Sequence, residues 1–110
     1  MKRIKYINKF NSIIADLVLD KVKGKITEYD YHHIKSYLID LHNVLNLHGK
    51  RKVFYFMNLV VEQNKLSLSK YEVYAYKLVA EKFHRRELVE ICEKWLSDYP
   101  VIKIKIVKFI

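Results

Sequence analysis

Apolar side chains recur along this chain at helical intervals, and the breaks in that recurrence divide it into segments. Between residues 7 and 22, Ile7, Phe10, Ile14, Leu17 and Val18 fall at three- and four-residue steps. Ser12, Asp16 and Asp20 lie opposite, on a face expected to be solvated, so the stretch predicts an amphipathic helix. Gly24 follows, at the place where a left-handed residue commonly ends a helix. The next segment opens on Thr27 with Asp30 three residues on, a capping-box pattern, and Ile26 and Tyr31 are spaced to close a hydrophobic staple across it. Its stripe of Ile34, Leu38, Leu41 and Leu45 runs to Gly49. The same device recurs at Ser69 and Glu72, flanked by Leu68 and Val73. It predicts a helix from near Lys70 that carries Val73, Tyr76, Ala80 and Phe83 inward.

At Phe83 the stripe slips, because Leu88, Ile91 and Trp95 resume it five residues on. His84-Arg85-Arg86-Glu87 therefore marks a kink or a short break, and Pro100 is expected to end the helix that follows. The uncharged run from Val53 to Val61 suits a buried helix or a buried strand. Its helical neighbours and the grouping of Val53, Met57, Val60 and Val61 favour helix. From Val101 to Ile110 the period changes to two, with Ile102, Ile104 and Ile106 against Lys103 and Lys105, which predicts a half-buried strand. Such a strand needs a partner: residues 3–7, the run at 53, or the same strand of a second copy.

Short connections at 23–27, 46–52 and 62–69 favour neighbours running up and down. The expected fold is one mainly α domain over residues 1–110, an antiparallel bundle of four to five helices with a short C-terminal β-strand. The alternative is an α+β fold with residues 53–57 and 101–110 paired in a small sheet. The length suits a single domain with a real core, and two Gly and one Pro among 51% hydrophobic residues exclude a disordered or collagen-like chain. The nine-residue run at 53 is far below the ~20 residues that span a bilayer. No signal-peptide pattern follows the basic start, and the lone Cys92 suits a reducing compartment. The expectation is a soluble cytoplasmic protein with no membrane contact. Seventeen Lys beside one Gln and two Met match, weakly, the usage of hot-environment proteins.

Charge adds the one functional lead. Twenty-one Lys and Arg against twelve Asp and Glu give +9, a field that attracts nucleic acid first and an anionic membrane surface or an acidic protein second. The sequence offers no Cys pair and no His-Glu-x-x-His, and His33, His42 and His48 diverge around their helix, so neither a metal nor a cofactor is expected. Nothing assembles a nucleophile, a base and an oxyanion hole, which argues against an enzyme. Tyr71 and Tyr74, near Lys70 and Lys77, offer stacking surfaces, although Tyr at helical spacing chiefly lines cores.

Lys50-Arg51-Lys52 is the most informative cluster. If a helix starts there, three cations oppose the positive end of its dipole, and a bound anion would compensate them. In an up-down bundle the candidate nucleic-acid-binding residues Lys2, Arg3, Lys5, Lys50, Arg51, Lys52, Arg85 and Arg86 gather at one end. The expected function is phosphate-contact binding of DNA or RNA without strong sequence specificity. The alternative is a small interaction module, a regulator or inhibitor from a mobile element or virus, that docks an acidic partner. A homodimer through the strand edge of residues 101–110 is also expected.

Overall fold

Two capping residues and two left-handed turns set the helix boundaries. Thr27 Oγ1 accepts from the Asp30 amide and Asp30 Oδ2 accepts from the Thr27 amide, both at 3.0 Å, so the first capping box is closed. At the second, Ser69 Oγ accepts from the Tyr71 amide at 3.0 Å, but Glu72 leaves the box open and accepts from the Tyr76 hydroxyl at 2.7 Å. The computed structural model describes residues 5–63 and 67–108, with side chains as far as Asp98. It contains α1 (Ile7–Val22), α2 (Glu28–His48), α3 (Lys50–Gln63), α4 (Lys70–Lys82) and α5 (Arg86–Lys108). The ambiguous run at 53–61 is helical, and the helical register breaks at His84.

The mainly helical fold stands; the C-terminal strand does not. Residues 101–108 continue α5, past Pro100, and no strand occurs among the described residues. The physical reason is the lack of a neighbour. Residues 53–61 are committed to α3 and α1 begins at Ile7, so no edge is offered among the described residues. A helix meets its backbone hydrogen bonds within itself, which a lone strand cannot do. The expected end at Pro100 fails for the same reason, at the cost of one helical hydrogen bond. Edge-to-edge dimerisation through residues 101–110 loses its basis with the strand; residues 109 and 110 lie outside the described residues.

α4 is the hub of the bundle. It touches each of the other four helices, and it is apolar nearly all round: Val73, Ala75, Tyr76, Leu78, Val79 and Ala80 are buried. Its polar side is narrow, carrying Lys70, Lys77 and Glu81, as suits a helix enclosed on its other sides. α1 turns Phe10 and Leu17 into the core as expected, with Ile13 fully buried and Ile14 partly buried against it, while Ile7 and Val18 are exposed. The polar face of α1 is solvated only in part: Asp16 is exposed, but the face also docks on α4. Asp20 accepts from the Tyr74 hydroxyl at 2.7 Å, and Lys82 reaches Ser12 Oγ at 2.7 Å and Asp16 at 3.2 Å.

The turn from α4 to α5 positions the candidate site. α4 ends in a Schellman arrangement, with the Arg85 amide on the Ala80 carbonyl at 2.8 Å and the His84 amide on the Glu81 carbonyl at 3.2 Å. His84 takes the left-handed position, φ 60°, that Gly24 fills after α1. An L-residue there is strained by about 1–2 kcal/mol, which glycine avoids. His84→Gly is therefore expected to stabilise the protein by about 0.5–1 kcal/mol after its extra unfolded-state entropy is counted. A urea midpoint that rises at unchanged slope would show this; a lower midpoint would contradict it.

Candidate nucleic-acid interface

An aromatic cluster brings distant cations together. Phe83, the last residue before His84, packs against Phe54 of α3 with ring centroids 5.4 Å apart, and against Tyr6 at 5.3 Å. The sharp turn after Phe83 lays the Arg85 guanidinium over the Phe54 ring, 4.7 Å from its centroid, a cation–π contact. Arg51 stands one helical turn before Phe54 and Tyr55. Arg51, Arg85 and Arg86 line one cleft of about 320 Å³, together with Phe54, Tyr55, Asn58, Glu87 and Leu88. The cleft sits where α3 meets the start of α5.

Its electrostatics favour an anion. The first helical hydrogen bond of α5 runs from the Val89 amide to the Arg85 carbonyl at 3.0 Å, so the amides of Arg86, Glu87 and Leu88 precede the ladder and carry the positive end of the helix dipole. α3 has no acidic residue in its first turn, which is Lys-Arg-Lys. Among the described residues no carboxylate pairs with Arg51, Arg85 or Arg86. Glu87 is the one acidic residue lining the cleft, so three cations face one carboxylate. Asn58 Oδ1 is buried there without a hydrogen-bond partner, an arrangement that costs about 1–3 kcal/mol when nothing fills it.

Three of the eight predicted residues, Arg51, Arg85 and Arg86, thus converge. Lys5 reaches the same end by its main chain: its amide donates to Asn46 Oδ1 at 2.7 Å and its carbonyl accepts from His42 Nε2 at 2.8 Å. The His42 ring stacks on Phe10, centroids 4.4 Å apart. Lys50 is exposed at the head of α3. Lys52 does not join the cleft, because it lines a separate cavity between α2, α3 and α4. Lys2 and Arg3 lie outside the described residues. Lys9, not singled out in the sequence, holds its Nζ 5.3 Å from the Phe83 ring centroid; its place one turn after Lys5 was the available signal. Tyr6 and His84, the two non-glycine residues with positive φ among those described, flank this same aromatic cluster. Such outliers concentrate at functional sites.

The cations elsewhere are more often committed. Lys21 pairs with Glu28 at 4.0 Å and lies over Tyr31, Lys77 pairs with Glu81 at 3.7 Å, and Lys82 with Asp16. Tyr71 and Tyr74 are half-buried rather than free. Burial, then the Asp20 carboxylate, pushes the Tyr74 hydroxyl well above its ordinary pKa. Burial, then Asp30, pushes Tyr71 up to about 12. Among the described residues no three His, Cys, Asp or Glu side chains group as metal ligands. No helix is long and apolar enough to cross a membrane among those residues.

Cys92 is fully buried, and burial pushes its thiol up to about 12. Iodoacetamide at pH 8 should therefore leave it unlabelled in the folded protein and modify it once urea unfolds the chain. Rapid labelling of the native form would contradict the packing of α5 described here. The cavity that Lys52 lines, about 520 Å³, has an apolar floor of Leu41, Val53 and Met57 and a rim of mixed charge from Asp40, His48 and Glu72. No family model, no curated protein and no solved structure significantly matches the chain.

Proposed function

We propose that the protein binds nucleic acid through phosphate contacts at the α3–α5 cleft, without strong sequence specificity. The observation that carries this reading is the convergence of Arg51, Arg85 and Arg86 on one cleft at the start of α5. Arginine forks and free amides recognise phosphate oxygens, and contacts to phosphate carry no sequence information. A net charge of +9 adds long-range attraction. Lys5 and Lys9, beside the same aromatic cluster, extend the surface along a phosphate backbone. The lone buried thiol agrees with work in the reducing cytoplasm.

A fluorescence-anisotropy titration of labelled DNA and RNA across salt concentrations tests the reading. Three engaged phosphates predict a slope of roughly −2 in log K against log salt on a single strand. A flat salt dependence, or no binding at low salt, would sink it. The second reading, docking of a protein partner, draws on the mixed-charge cavity and on the exposed Val44 and Phe56 at its rim. Nuclease-resistant capture of one protein through that face, together with failed anisotropy binding, would favour it.

A further inference from the structure

The cleft contains more than a phosphate site requires. On α3, Arg51, Phe54, Tyr55 and Asn58 share the side that faces the start of α5, and all four line the cleft. The Phe54 ring is already covered by Arg85 and Phe83. Tyr55 is different. It is 67% exposed, and its ring has no aromatic, cationic or hydrogen-bond partner among the described residues. The helical rise sets Arg51 and Tyr55 about 6 Å apart along the axis, and Asn58 one turn beyond Tyr55. Cation and bare ring therefore follow one another along a single helix side.

We infer that the cleft takes single-stranded nucleic acid, with phosphates at Arg51, Arg86 and the α5 amides and an unpaired base on the Tyr55 ring. The inference rests on the phosphate-binding reading above and narrows it to one substrate class. A paired base does not fit this arrangement, because its faces are covered by stacked neighbours and its edge by its partner. An unpaired base presents both.

The test is anisotropy with single- and double-stranded oligonucleotides of one mixed sequence, as DNA and as RNA, at fixed low salt. Single strands should bind more tightly than duplexes. Tyr55→Ala should lose about tenfold on single strands and nothing on duplexes, with Tyr55→Phe close to the parent. Asn58→Leu should raise thermal stability, because it removes the unpaired buried oxygen, and leave the preference for single strands in place. Equal losses on both substrates from Tyr55→Ala, or no loss on either, would overturn the inference. If Arg51→Glu still weakens both substrates in that case, the phosphate reading survives without it. If Arg51→Glu also has no effect, both fail.

Discussion

Arg51→Glu combined with Arg86→Glu is expected to weaken polyanion binding about 100-fold at low salt, from two lost contacts of about 1.5 kcal/mol each. The salt slope on a single strand should become shallower by about 1.4. Lys23→Glu with Lys25→Glu, beside the turn that ends α1, should cost far less, because neither cation lines the cleft. The first pair should also stabilise the fold. Arg51 lies in the first turn of α3 and Arg86 in that of α5, where a carboxylate suits the helix dipole and a cation opposes it, by about 0.3–1 kcal/mol each. Binding and stability are thus expected to move in opposite directions, which separates lost contacts from unfolding. Equal losses from both pairs would mean diffuse charge without a site.

The largest effect on stability is expected in the layer between α2 and α4. Leu38 is fully buried, and Leu38→Ala should destabilise the protein by about 2–5 kcal/mol through lost burial and the cavity left behind. Leu47 sits on the same helix and is 70% exposed, so Leu47→Ala should stay within about 0.5 kcal/mol of the parent. Urea denaturation of the two variants measures the contrast. A Leu38→Ala loss as small as that of Leu47→Ala would contradict the placement of α2 against the hub helix.

The features legible in the sequence were those with local causes. Thr27 and Ser69 cap from their own neighbourhood, and the slip of the stripe after Phe83 exposed the break between α4 and α5. Features that depend on several helices at once were harder to read. Ala75, Leu78 and Val79 escaped the expected core because one-face periodicity does not anticipate a helix enclosed by four others. The strand at 101–110 followed from alternation alone, which says nothing about whether an edge waits to receive it.

The site divides in the same way. The opposed dipole at Lys50-Arg51-Lys52 was visible from composition and helix physics. That Arg51 and Lys52 then face different cavities depends on the 100° between successive residues of a helix whose start was not certain from the sequence. The bend that lays Arg85 on Phe54 requires His84 in a left-handed conformation, which glycine would have signalled and histidine hides. Tyr55 and Asn58 lay inside an apolar run and carried no charge to mark them. Their interest comes from exposure and from a missing partner, which are properties of the folded chain.

An amide chemical-shift titration with a short single-stranded oligonucleotide locates the bound anion. The largest shifts are expected at the amides of Arg86, Glu87 and Leu88 and along Arg51 to Asn58, with the Arg51→Glu, Arg86→Glu variant showing none of them. Shifts centred instead on Asp40, His48 and Glu72, or spread evenly over Lys23, Lys25 and the other exposed lysines, would contradict that placement.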